Sequence, residues 1–348
     1  MEKAGEVILN NNPIDIVIPW VDGSDAEWIS EKNKYYVGKH LDGDANSEAR
    51  YEDWDNLYIL FRGIEKFLPW FNRVFLIVSD QRQIPEFIRK DHPKLRIVTH
   101  DEYIPEEYLP TFNSNTIEMN YFRIKELSEN FILFNDDMFP MSDIDEAYYF
   151  QNNMVCEEAV EMPIIPVDIG QITRYSLMVK ANNMVFINRH FSKREVQKKN
   201  PDKWFFKGYG DLLQRTEGLA YWDNFVGFHD RHMPVALKKS TLKHIWDIEP
   251  EMMHIASLNK FRDYTDVSQY IIRYWQICEG DFIPRRTLGE PFWVTKQNYE
   301  EVAEKIWSTP HQMICLMEDD LTGVFEQARD TINNAMLKVL PDKSSFEK

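Results

Sequence analysis

Cysteine is scarce: Cys156, Cys278 and Cys315 are the only three in 348 residues, and they stand far apart. That excludes a disulfide-stapled secreted scaffold and offers no metal-ligand spacing, so reduced, mostly buried thiols in a cytoplasmic setting are expected. Long apolar runs are missing too. No stretch reaches the ~18 consecutive apolar residues of a membrane helix, and the opening "MEKAGEVILNNNPIDIVIPW" lacks the basic-then-apolar order of a signal peptide. Positive charge is in deficit, with 40 Lys and Arg against 57 Asp and Glu and a formal net charge of -17. Such a surface repels nucleic acid and anionic lipid, which removes nucleic acid as a partner and obliges any anionic substrate to find a local basic patch. Low-complexity tracts, internal repeats and flexible linkers are absent, and a hydrophobic fraction of 43% excludes a disordered chain.

What is present is a strand-and-helix alternation. "IDIVIPW" (14 to 20) is a short apolar run closed by the turn residues "DGSD", and it reads as a buried strand. Between Asp55 and Leu68, Leu57, Leu60, Phe61, Ile64, Phe67 and Leu68 recur at helical spacing, with Pro69 as the stop. "RVFLIVS" (73 to 79), "LRIVT" (95 to 99) and "FILFN" (131 to 135) read as strands, and Ile117, Tyr121, Ile124 and Leu127 mark a second helix before the last of them. Strands alternating with amphipathic helices give an α/β fold with a mostly parallel, doubly wound sheet, whose ligands lie beyond the carboxyl ends of the strands. "DGSD", "SDQRQ" and "NDD" all fall there.

The remainder divides into a half over 1–150, a second half of the same core over 151–295, and two amphipathic helices within 296–348. "MVCEEAVEMPIIPVDIG" can supply further strands. A helical or irregular insertion over 189–215 carries eight Lys or Arg against three Asp or Glu, either a solvated face or an anion-binding lid. Trp204, Phe205, Phe206 and Tyr209 inside it are candidates for stacking a sugar.

"FILFNDDMF" (131 to 139) runs an apolar strand into Asp136 and Asp137. Burying either charge alone is costly, so a cation, a metal-bound phosphate or solvent belongs beside them, unless the pair merely caps a turn. On a regular strand the two side chains alternate, so one carboxylate is expected to meet a metal and the other to orient a hydroxyl or water.

"IDIVIPWVDGSD" (14 to 25), "RYEDWDNLYILFRGIEKFLPW" (50 to 70), "LPTFNSNTIE" (109 to 118), "FRIKELSENFILFNDDMF" (122 to 139), "HMPVALKKS" (232 to 240) and "LNKFRDYTDVSQYIIRYWQICEG" (258 to 280) resemble the successive blocks of the Stealth family. That family contains bacterial capsular and cell-wall polysaccharide phosphotransferases and the animal N-acetylglucosamine-1-phosphotransferase. The resemblance implies a Rossmann-like core and transfer of a sugar 1-phosphate from a nucleotide sugar, UDP-linked hexose or N-acetylhexosamine, to a saccharide hydroxyl. A nucleoside monophosphate leaves, and Mg2+, with Mn2+ as its substitute, is the implied cofactor. Tyr58 stands where many members have Arg, and "SDQRQIP" is one residue longer than the usual turn, departures that bear on donor specificity.

Carried onto this chain, the resemblance gives Asp136 and Asp137 to the metal, and Asp22, Gly23, Ser24, Asp25 and Asn115 to the donor. His232, opening "HMP", is the general base with His229 as its rival. Asp53, Arg62, Arg123, Lys239 and Arg262 complete the catalytic set, Lys239 and Arg262 supplying charge to the migrating phosphoryl group. Each has a plainer reading: Asp53, beside Arg50, as a helix cap; Arg62, Arg123 and Arg262 as salt bridges; Lys239 as the start of a helix. A growing polysaccharide, peripheral membrane or assembly partners and a homo-oligomer complete the expected partners.

Overall fold

Five short, mostly apolar segments build the main sheet of a mixed α/β fold. β1 (Ile14–Pro19), β2 (Val74–Val78), β3 (Leu95–Thr99) and β4 (Asn130–Leu133) are mutually parallel, and β8 (Val235–Lys238) closes the edge antiparallel, in the order β3-β2-β1-β4-β8. The computed structural model describes residues 10, 12–36, 53–167 and 174–348, so Arg50 lies outside the described residues. β1, β2 and β4 are buried on both faces, which is why apolar residues fall at successive positions without alternation, broken only by the buried polar residues Asp15 and Asn130.

The chain leaves β4, crosses Phe134 to Asp137, and enters β5 (Met138–Pro140), which belongs to a second sheet. There β5 pairs antiparallel with β11 (Met313–Glu318), itself parallel to β10 (Glu290–Val294). The acidic doublet is thus the bridge between two sheets. Its far end is fixed by α2 (Leu57–Phe67), whose Gly63 lies so close to Pro140 that a β-carbon would sit 2.6 Å from that carbonyl oxygen. A glycine inside a helix costs up to ~1 kcal/mol, and this contact is its reason.

A third sheet joins β6 (Phe150–Gln151), β7 (Met154–Glu157) and β9 (Phe282–Pro284). The helices are α1 (Ala26–Tyr35), α2, α3 (Ser114–Met119), α4 (Arg174–His190), α5 (Lys193–Lys199), α6 (Pro201–Trp204), α7 (Leu213–Gly218), α8 (Lys239–Ile248), α9 (Pro250–Ser257), α10 (Tyr270–Glu279), α11 (Tyr299–Ser308) and α12 (Phe325–Val339). No helix among the described residues is long and apolar enough to cross a membrane.

Three expectations need correction. The helix over 117–127 is only α3 followed by a single tight turn at Tyr121–Arg123, because the Asn120 amide turns back to the Thr116 carbonyl at 2.8 Å and stops α3. The C-terminal region is not two helices alone, since β11 lies between α11 and α12. The basic insertion is helical and only part of its charge is bound up in the fold: Lys193 and Glu161 form a fully buried pair at 2.8 Å, whereas Arg194, which holds Asp223 at 3.0 Å and the carbonyls of Ala220 and Tyr221, and Lys198 and Lys199 lie on the surface, as a solvated face would have them. Trp204 and Tyr209 are fully buried there, core aromatics and not a sugar platform.

Candidate active site

Parallel pairing puts the carboxyl ends of β1, β2 and β4 on one edge, and the polar loops that follow them meet there. The loop after β1 is locked to the loop after β2 by Gln83, whose side chain accepts from the Asp22 amide at 2.6 Å and donates to Asp25 at 2.8 Å. Asp22 folds its own turn, accepting from the Ser24 amide and hydroxyl at 2.8 and 2.6 Å, and Asp25 caps α1 at the Glu27 amide. Gly23 is not among the positive-φ glycines of the described residues, so the side chain of Asp22, not glycine's freedom, makes this turn.

β4 ends at Leu133, so strand alternation does not govern the doublet. Asp137 turns toward His232, Oδ2 lying 3.3 Å from its Nε2, which is also 3.3 Å from the Asn135 amide nitrogen. Asp137 Oδ1 is buried without a hydrogen-bond partner. Asp136 stays open to solvent, but the surrounding protein, then Asp137 and Asp53, push its carboxyl up to about 7. Asp53 does not cap α2; it accepts from the Asp55 amide at 2.8 Å, and although it lies at the surface its carboxyl is raised by the surrounding protein, with the Asp55 and Asp22 charges adding to that rise. Asp22, Asp53, Asp136 and Asp137 thus form one connected patch of negative field.

The antiparallel sense of β8 decides two residues at once. Val235 pairs with Leu133 at the carboxyl edge, so His232, just before it, reaches the doublet. Lys238 pairs with Asn130 at the opposite edge, so Lys239 is carried away from the site, where its ammonium donates to the carbonyls of Ile124 and Leu127 at 2.6 and 3.1 Å. Lys239 is therefore a structural residue. His229, the rival base, is held at Nδ1 by buried Glu158 at 2.7 Å. Burial alone would lower the His232 imidazole, but Asp137, Glu118 and Asp136 outweigh it and hold the ring above its ordinary value.

Glu118, on α3, escaped the sequence reading. It is buried, and desolvation pushes its carboxyl up to about 7 against the fields of Arg262 and His232. Its position follows from the cap of α3. Asn113 accepts from the Asn115 amide at 3.1 Å and donates to both oxygens of fully buried Asp266 at 3.1 and 3.0 Å, tying α3 to the segment that carries Arg262. Arg262 donates to Ser114 on α3 at 3.3 Å. Asn115 joins the same network, its amide toward Tyr175 and Asp266, so its side chain is committed inside the protein and not to a donor. The structure thus gathers Asp53, Asp136, Asp137, Glu118, His232 and Arg262.

Two arginines do not join them. Arg62 makes a two-pronged pair with Glu347, 2.8 Å at each contact, and donates to the carbonyls of Leu340 and Pro341, pinning the segment 340–347 to α2. Arg123 stacks on Phe122 and Trp246 and donates to Asn120 at 2.9 Å. Both side chains are engaged in ion-pair or packing contacts outside that group.

Glu118→Gln isolates the energetic cost of this buried acid. A folded carboxyl that titrates near 7 and an unfolded one near 4.5 make stability fall as pH rises through that window, since the native state there holds a proton the unfolded chain has lost. The variant escapes this, so it should melt higher than the parent above pH 7, by at most about 3 kcal/mol, with the advantage fading toward pH 4.5. Calorimetric melting across that range checks it, and a constant difference would remove the titration argument.

Residues 12–35 match the family model for Stealth protein CR1, conserved region 1, and residues 50–158 match Stealth protein CR2, conserved region 2. A capsular polysaccharide phosphotransferase WcwK of Streptococcus pneumoniae is 34% identical over 339 residues, 97% of this chain and 99% of its own length. The exopolysaccharide phosphotransferase cps2G of Lactiplantibacillus plantarum is 32% identical over 99% of both chains. The receptor polysaccharide phosphotransferase WefC of Streptococcus oralis is 31% identical, over 97% of this chain and 99% of that one.

Proposed function

From the premise that the chain belongs to the Stealth family, we propose that it is a sugar 1-phosphate transferase of polysaccharide synthesis. It moves a sugar phosphate from a nucleotide sugar, UDP-linked hexose or N-acetylhexosamine, onto a hydroxyl of a saccharide acceptor. The observation that carries the reading is the His232–Asp137 pair, set with Glu118 and Arg262 at the carboxyl edge of the parallel strands. The order β3-β2-β1-β4, with the ligand-facing loops on that edge, supports a Rossmann-like assignment for the core.

In this reading the acceptor oxygen attacks the sugar-side phosphorus, the bond from phosphorus to the nucleoside monophosphate oxygen breaks, and the hydroxyl proton passes to His232. Asp137 holds the imidazole at Nε2, which leaves Nδ1 to take that proton. Arg262 faces the phosphoryl oxygens, where a guanidinium serves bidentately. Glu118, kept near neutrality, accepts or donates a hydrogen bond to a substrate hydroxyl.

Asp136 and Asp137 would offer carboxylate oxygens to a hard cation such as Mg2+, which takes such ligands and retains several waters, while Asp53 adds negative field from further off. The orphaned Asp137 Oδ1 is the observation behind that fit. When bound, such an ion neutralises the donor diphosphate and its leaving phosphate.

The protein, incubated with a panel of UDP-sugars, Mg2+ and short oligosaccharides, should release the nucleoside monophosphate and give a phosphodiester signal by phosphorus NMR. Release of the diphosphate would make it a glycosyltransferase attacking the anomeric carbon, and no turnover with any donor would leave a sugar-binding protein.

A further inference from the structure

The same edge holds a ligand set of a different chemical character. Cys315 lies on β11 opposite Met138, and the amide of its neighbour Leu316 donates to the Asp137 carbonyl at 2.9 Å, which brings its thiol under the doublet. Among the described residues, Asp137, His232 and Cys315 offer one oxygen, one nitrogen and one sulfur, all within 4.8 Å of one another. No local spacing announces this, because the three come from the β4–β5 bridge, the approach to β8, and β11. Asp137 Oδ1 has no partner, and the side chains of Asp137 and His232 remain 29% and 35% exposed, which gives an ion a way in and an open position for water.

We propose that Asp137, His232 and Cys315 form a site for a thiophilic divalent cation of the Zn2+ or Co2+ class, whose occupation blocks turnover. A sulfur, an imidazole and a carboxylate around an open fourth position suit Zn2+ at tetrahedral distances near ~2.0–2.3 Å, and the three ligand atoms, within 4.8 Å of one another, would draw together around the ion to reach them. Magnesium has little use for sulfur, so the softer ion competes here without being the ion that supports turnover. The thiol proton leaves to solvent as the Zn–S bond forms. Occupation takes His232 out of play and Asp137 away from any hard cation. Binding stands on geometry alone, while inhibition rests on the role given to His232 above.

Titrating the purified protein with Co2+ should produce a sulfur-to-cobalt charge-transfer band that Mg2+ does not produce. Cys315→Ser and Cys315→Ala should lack the band and bind Zn2+ at least ~10-fold more weakly, in line with the ~10–100-fold that disturbing even a partner behind a metal ligand costs. Both should turn over with Mg2+ within a few-fold of the parent and resist Zn2+; melting curves establish that at least one of the two is folded. A missing band, or unchanged Zn2+ affinity in the folded variant, overturns the site. Binding with the band but with undiminished turnover overturns the inhibition, and with it the assignment of His232.

Discussion

Replacing His232 with alanine should lower turnover by ~10²–10⁴-fold, about 3–5 kcal/mol in the barrier, and should leave the Michaelis constant for the donor nearly unchanged. The imidazole is placed to receive a proton in the transition state, whereas donor contacts come from other residues. Its pH profile makes the role specific. A base must be neutral to act, and Asp137, Glu118 and Asp136 hold this ring above its ordinary value despite burial, so activity should rise with pH along a limb lying above that of a free histidine. Asp137→Asn removes the strongest of those fields and leaves only those of Glu118 and Asp136 to oppose desolvation. The limb should then move to lower pH in whatever activity survives. Steady-state kinetics from pH 5.5 to 9 would decide. A His232→Ala enzyme with a raised Michaelis constant, unchanged turnover and the same acidic limb would show that the proton goes elsewhere.

How far the sequence reached is best judged residue by residue. β1, β2, β3 and β4 were legible because each is a short, mostly apolar run bounded by turn residues, and α2 because its apolar face repeats at helical spacing. "MICLME" was not, since an apolar run between two helical patterns extends either pattern equally well until a partner, here β5 and β10, exists to pair with. The acidic doublet and His232 stood out by their blocks. Glu118 did not, because a glutamate in a short helix is ordinarily solvated, and only the Asn113–Asp266 network, made across a long sequence separation, buries it beside Arg262. Lys239 shows the opposite error. Its block sits next to His232 in sequence, but a strand between them carries one residue to the site edge and the other to the far edge, and the direction of that strand is a property of the sheet. Arg62 and Asp25 match family positions, and in the structure their charges meet Glu347 and the first turn of α1, contacts no block of sequence announces.

Removing Arg273 should cost ~3–5 kcal/mol of folding stability. This guanidinium, on α10 and only 4% exposed, meets Glu157 at 2.8 Å, Asp230 at 2.8 Å and the Glu158 carbonyl at 2.7 Å, while the Tyr274 hydroxyl donates to the same Asp230. Arg273→Ala leaves two buried carboxylates without their cation, and each must then protonate or draw water into a packed core. Against a total stability of ~5–15 kcal/mol, that loss brings the domain close to unfolding at ambient temperature. Much of the cost belongs to the orphaned acids, not to lost attraction, so Arg273→Met combined with Glu157→Gln and Asp230→Asn should recover a large part of it. The network also reaches the site. Asp230 and His229, the latter bound to Glu158, hold the chain just before His232 from two directions, so the recovered triple variant should fold but turn over more slowly at an unchanged donor Michaelis constant. Urea unfolding of the two variants, read beside their kinetics, separates the terms. A single variant that loses under ~1 kcal/mol would mean that water or proton uptake already relieves the buried charges, and that the segment before His232 is held by packing alone.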